Sequence, residues 1–342
     1  MSWGTLGMRN TVVVLSLLAL SSVIRGQEQG KYDRLKAMEA EIKASGFAAL
    51  HDIAGLNEVD ADGQTPLHVA AQAGQVDMIK SFLIAGAKAN LVNVKGDTPL
   101  MSSVQNGHYH SSAQLLRAPS TDLFQRNNLG ANVLHQAIAA DMSVIVESIL
   151  NTDMDRRANP DVNEVMNDEA KSGTLLVDTR LIGGSTQSGL MMAAQNGGTE
   201  IVRILLQHKA QVNVRTDTGE TALMYAALMG NVEIVTLLLA ASARADLTTH
   251  DKGFSALMMA SSRGHATVVE ELIAHAIETR QYQVLDIKDV AGQTALDHAN
   301  DAREQQVMDR LVAAGADLGQ LGAPHASEEL LQQRAESLGR RP

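Results

Sequence analysis

Eleven histidines, 39 aspartates and glutamates and no cysteine set the chemistry open to this 342-residue chain. Without a thiol there is no cysteine nucleophile, no sulfur ligand for a metal and no disulfide. A zinc site would need three or four His, Asp or Glu side chains held together. The closest histidine pair is His108-x-His110, with no third ligand near it in the sequence, so both are read as structural or solvated. Asp153-x-Asp155…Asp161…Glu164 places carboxylates at four of the ligand positions of a calcium loop. Arg157 stands where a fifth ligand belongs, however, and Ala158 where the turn needs glycine, so the pattern lacks both a ligand and its bend. Gly183-Gly184-Ser185 carries no lysine and makes no phosphate loop. Neither a nucleophile elbow nor an H-E-x-x-H helix occurs. The expectation is a chain with no catalytic residues, no metal site and no cofactor.

The elements that position any working surface are repeated. In Asp60 to Asn90, Thr65 is a good helix N-cap and Pro66 fits the first helical position. A short helix through Val69 to Ala71 ends at Gly74. Val76, Ile79, Phe82 and Leu83 then make the apolar face of a second helix, closed by Gly86. Two helices this short are marginal alone, so each pair must bury its faces against the next pair. Thr65-Pro66-Leu67-His68-Val69-Ala70 resembles the T-P-L-H-x-A signature of the ankyrin repeat, whose period is about 33 residues. Copies follow at Thr98-Pro99-Leu100-Met101, Asn132 to Ala137, Ser188 to Ala194, Thr221 to Ala227, Ser255 to Ala260 and Thr294 to Ala299. The resemblance implies an all-α fold with short β-hairpin loops: an ankyrin-repeat solenoid of about seven repeats plus an N-terminal cap. On that reading 27–59 are the capping helices, 60–150 repeats one to three and 183–318 repeats four to seven.

Several stretches depart from the period. Residues 151–182 fit no copy and are read as an insertion loop, and Glu278 to Val284 hold a smaller one. Asp141 stands where other first helices end in glycine, and Asp tolerates left-handed backbone better than most residues. His110, Ser111 and Ser112 weaken the second helix of repeat two, which Pro119 ends. Residues 319–342 form a tail in which Ser327 to Leu338 has the pattern of one amphipathic helix.

Residues 1–26 read as a signal peptide. Arg9 precedes the uncharged apolar run Thr11 to Ile24, and small residues suited to cleavage stand at Ala19-Leu20-Ser21 and Ile24-Arg25-Gly26. The run is short for a membrane span, which needs about 20 residues; an uncleaved anchor is the alternative. Export without cysteine points to a periplasmic or secreted protein, best to a bacterial periplasm. The formal charge of −11, with no basic run, argues against a nucleic-acid surface.

The resemblance also locates a partner surface, since ankyrin repeats meet other proteins with their hairpin tips and the exposed side of their first helices. The positions so marked include Lys95, Asn106, Gln195, Asn196, Leu228, Met229, Phe254 and Arg263. Leu228, Met229, Phe254 and Arg263, from two adjacent repeats, have the composition of an interface hot spot; the other reading folds Phe254 back onto its own hairpin. Met101, Met191, Met224 and Met258 occupy the His place of the signature and are read as core. The expected function is non-enzymatic binding of a partner protein, to inhibit, protect or scaffold it. The alternatives are an effector secreted to act on host proteins and an enzyme that uses the insertion. The only tryptophan is Trp3, so protein purified from its native compartment should show no tryptophan fluorescence; a clear emission would mean that the leader is retained.

Overall fold

The computed structural model describes residues 30, 33–40, 55–158 and 186–316, with the side chains of 156–158 excepted. The leader 1–26, most of the capping helices, most of the insertion and the tail beyond 316 lie outside these residues. The chain divides after Asn128 into two compact units. In the first, residues 33–40 are helical, followed by α1 (Pro66–Gln72), α2 (Val76–Ile84), α3 (Pro99–Gln105) and α4 (Tyr109–Leu116). The second holds α5 (Val133–Ala139), α6 (Ser143–Ala158), α7 (Gly189–Asn196), α8 (Thr199–Gln207), α9 (Ala222–Met229) and α10 (Val232–Ala240). It continues with α11 (Ala256–Ser262), α12 (Ala266–Glu278), a 3-10 turn (Tyr282–Asp286), α13 (Ala295–Asp301) and α14 (Gln305–Ala313). No helix among the described residues is long and apolar enough to cross a membrane.

Every first helix begins the same way. The side chains of Thr65, Thr98, Asn132, Ser188, Thr221, Ser255 and Thr294 each accept the amide of the residue three further on. That third residue often answers by taking the N-cap amide. His68 does so with Nδ1 (3.2 Å) while its Nε2 reaches the Asp97 carbonyl at 3.0 Å. A carbonyl only accepts, so Nε2 carries the proton and Nδ1 is the acceptor. In the copies at Ser188 and Ser255 the sulfurs of Met191 and Met258 lie 3.5 Å from the N-cap amides, and at Thr294 the Asp297 carboxylate takes that place at 2.8 Å. Met101, Met191, Met224 and Met258 are all buried, as read from the sequence. Within each unit, first helices pack on first helices and on their own second helices. The layers are filled by side chains such as Leu67, Ile79, Phe82, Leu190, Val202, Leu223, Val235, Leu257 and Val269.

The tips between repeats are turns rather than strands, with no more than isolated bridges such as Thr248–Ser255 among the described residues. The tips starting at Asp60, Asn93, Thr216 and Asp289 each hold two backbone bonds, such as Asn93 N–H to Asp97 O (3.0 Å) and Gly96 N–H to Asn93 O (2.9 Å), and one backbone bond joins neighbouring tips, such as Asn128 N–H to Lys95 O (3.0 Å). A ladder needs more residues on each side than these turns have. Gly96 shows why glycine recurs there: its φ is +78°, and a Cβ would stand 2.8 Å from the Asn128 nitrogen.

Three irregular stretches resolve. The helix α6 runs on to Ala158, so the first eight residues assigned to the insertion are helical. Periodicity stops at Leu150 because the continuation has little apolar face: Asp153 is buried but Met154 is 58% exposed. Asp153 and Asp155 are thus helical, not loop, residues. Ser111 and Ser112 do not prevent α4; both are fully buried, and the Ser112 hydroxyl bonds the His108 carbonyl and Ser103. The long gap before Thr294 is taken up by a 13-residue α12 and the 3-10 turn, which buries Val284 and Leu285. Asp141 has φ +52°, as its place at the end of α5 demands.

Burial holds the His68 imidazole below its ordinary value of 6.5, against the backbone bond to Asp97 and the charges of Asp97 and Asp60. The unfolded chain then binds the proton more readily than the folded one. Stability is full above about pH 6.5 and falls as the pH drops below it. The urea midpoint should decline from pH 7.5 to 5.5, and less steeply in His68→Gln; a His68 ring resonance titrating at or above 6.5 would contradict this.

Candidate functional site

The sequence-marked residues fall in both units. Lys95 is exposed at a tip of the first, its amide held by Asn93 Oδ1 (2.9 Å), and Asn106 is exposed at the end of α3, bonding the Ser102 carbonyl at 2.8 Å. The other six belong to the second unit. Gln195 and Asn196 are exposed at the end of α7 and Arg263 at the end of α11. Met229 ends α9 and is 50% exposed. Leu228 is half-buried, and its carbonyl meets His265 Nε2 at 3.1 Å. His108 makes the same link in the first unit, to the Gln72 carbonyl at 2.8 Å.

The expected hot spot does not form as one cluster. Phe254 precedes the N-cap of α11 and Arg263 follows its last residue, so the length of a seven-residue helix, about 10 Å, separates them. Arg263 therefore groups with Met229 and Leu228 at the C-terminal ends of the helices. Phe254 sits at the other end, half-buried, with its ring edge-on to His298 of the next repeat (5.0 Å) and the Lys252 ammonium 5.7 Å from its centre. It packs forward onto the next repeat as well as against its own tip.

Between the two ends lies a row that position-matching missed. The fourth residues of α7, α9, α11 and α13, namely Met192, Tyr225, Met259 and His298, are half-buried on the same face as the marked residues. The signal was present, because residues three and four apart share a helix face. Met192, for example, lies three and four residues before Gln195 and Asn196.

On three of the seven first helices a polar bridge crosses the exposed side, joining the residue before the N-cap to the seventh helical position. It is Gln187 Nε2 to Gln195 Oε1 (3.2 Å) on α7, Gln293 Nε2 to Asp301 Oδ2 (2.8 Å) on α13 and, in the first unit, Gln105 Nε2 to Asp97 Oδ2 (3.0 Å) on α3. On α5 the paired positions are two alanines, Ala131 and Ala139, and on α1 Gln64 and Gln72; on α9 they are Glu220 and Leu228, and on α11 Phe254 and Ser262, and none of these pairs makes such a bond. Glu220 turns back instead, its Oε2 accepting from the hydroxyls of Thr216 and Thr218. Burial pushes the Glu220 carboxyl up, but the two hydroxyls outweigh it and hold the group below its ordinary value. Burial and the Glu220 charge raise the Tyr225 phenol, with the Gln187 side chain acting in the opposite sense. The face over α9 and α11 is thus open and apolar at its centre, between Glu220 at the tip end and Arg263 at the other. Among the described residues no three His, Asp or Glu side chains come together as metal ligands would.

A family model described as "Ankyrin repeats (3 copies)" matches at 38–127, 67–164, 163–251 and 241–321. The chain belongs to the ankyrin-repeat family. Among solved structures it is similar to the ankyrin repeat domain of human ASB11 (TM-score 0.56, 21% identity, 72% of this chain and 98% of that one). It is also similar to that of Bcl-3 (0.57, 24%, 73% and 99%). Identities this low carry the fold alone. Rabankyrin-5 of Mus musculus is 29% identical over 174 residues, 47% of this chain and 15% of its own length. The TRPA1 homolog of Caenorhabditis elegans is 28% identical over 176 residues, 49% and 14%. This chain therefore spans about a seventh of either relative. Ankyrin repeats are protein–protein interaction modules and generally lack catalytic activity.

Among the four tyrosines, Tyr225 should ionise above the ordinary phenol value, because its burial and the nearby Glu220 carboxylate disfavour the phenolate. In a spectrophotometric alkaline titration, Tyr225→Phe should remove absorbance from the high-pH end of the profile; removal from the low end would contradict the packing described.

Proposed function

We propose that this chain is a non-catalytic protein-binding module that uses the exposed side of α7, α9 and α11 and the tips before α9 and α11. One observation carries the assignment: the polar bridge that covers α7 and α13 is missing over α9 and α11. There Tyr225, Leu228, Met229, Phe254 and Met259 replace it with partly exposed apolar and aromatic surface. Tyrosine, phenylalanine and methionine are the residue types enriched at interface centres, where a few side chains carry most of the binding energy. The polar and charged groups around them, Gln195, Asn196, Glu220 and Arg263, suit a solvated rim.

The leader-like 1–26 and the lack of cysteine support work outside the cytoplasm, periplasmic or secreted. There the module would inhibit, protect or scaffold its partner. Immobilised on resin, the mature chain should capture that partner from a periplasmic extract. Combined Tyr225→Ala, Met229→Ala and Met259→Ala should weaken capture at least tenfold, as expected of hot-spot truncations, with the circular dichroism of the helices unchanged. Undiminished capture by that folded variant would overturn the site.

A further inference from the structure

The open face has one charged group placed differently from the rest. Glu220 occupies the position that on α7 and α13 holds a bridging glutamine, one repeat from the former, and the half-buried Tyr225 is on the helix that follows it. Its charge is felt by Tyr225, and that of Asp251 by Glu220 itself. Both threonine hydroxyls donate to Oε2, and among the described residues no side chain bonds Oε1. The carboxylate is therefore fixed in place before a ligand arrives, so little ordering is left for binding. Asp217 and Asp251 are exposed on the adjoining tips. Two cations share the area. Arg215 is engaged with the carbonyls of Gly219 and Thr248, and Lys252 stands over Phe254. Neither bonds Glu220.

Resting on the binding face proposed above, we infer that its occupant is a linear segment of a partner protein presenting a lysine or arginine beside a bulky apolar side chain. The apolar group covers Tyr225 and Met259, and the cation bonds Glu220 with Asp217 and Asp251 behind it. A charge-assisted bond to a fixed carboxylate is about twice as strong as a neutral one, and the neighbouring aromatic ring adds attraction for the same cation. An acidic segment would set like charges against three carboxylates and be rejected. The charge of −11 on the whole chain steers a basic segment inward and repels an acidic one.

The test is to pan a phage-displayed random dodecapeptide library on the full chain. Fluorescein-labelled copies of the enriched peptides are then titrated by anisotropy. Enriched sequences should carry Lys or Arg within three positions of Phe, Leu, Ile or Met, and their affinity should fall as salt rises. Glu220→Gln, close to isosteric, should weaken them at least tenfold, with Asp251→Asn as a second variant should the first lower the melting temperature. Glu233→Gln, on α10, should change nothing. Peptides without a cation, an unaffected Glu220→Gln, or no enrichment would each overturn the inference. If Tyr225→Ala weakens the peptides and Glu220→Gln does not, the cation fails and the face stands; if neither matters, the face itself fails.

Discussion

A helix of seven residues has more orphan amides than internal bonds, and isolated helices that short do not hold in water. Each first helix here begins with a side chain that accepts the third amide, and in five of the seven copies a second group returns to the N-cap. A cap of this kind contributes about 1 kcal/mol. Its larger effect is on geometry. It fixes the direction in which the chain leaves the tip, and so the register in which successive helices stack. At His68 one ring serves both the cap of its own helix and the carbonyl at the end of the following tip. Where methionine replaces it, a weak sulfur acceptor keeps the same place and the side chain still fills the layer.

The links between repeats are equally sparing. Tips are joined by single backbone bonds. The start of a second helix reaches the carbonyl end of the first helix of the previous repeat through His108 or His265. Asn57, Asn90 and Asn213 each take the amide of a residue about one repeat further on. All of these satisfy backbone groups, which leaves the outward side chains of the first helices free of structural duty. The exposed face can therefore vary from copy to copy without unstacking neighbouring repeats, as it does over α9 and α11.

Much of this could be read from residues alone. Thr65-Pro66 and its later equivalents marked the helix starts, Asp141 the left-handed turn, and the four methionines the core, because each depends on local backbone chemistry or on a strict period. The eight marked surface residues came from position-matching, which gives the end of a helix but not what neighbouring repeats do to it. Phe254 and Arg263 were expected together and stand a helix length apart. Met192, Tyr225 and Met259 were passed over, although their spacing from Gln195 and Met229 placed them on the same face.

By itself, then, the sequence determined the repeating unit, its caps and its core, since a capped, Gly-terminated helix pair has only one way to bury its apolar stripe. Tertiary structure decided which part of the exposed face is covered. A glutamine before the N-cap becomes a bridge only when its partner seven residues into the helix can reach it, and whether Glu220 spans its helix or turns back to Thr216 and Thr218 depends on the folded tip. Over α9 and α11 Leu228 and Phe254 have no group that could bridge, and only the packing of the two helices side by side joins their apolar positions into one open surface.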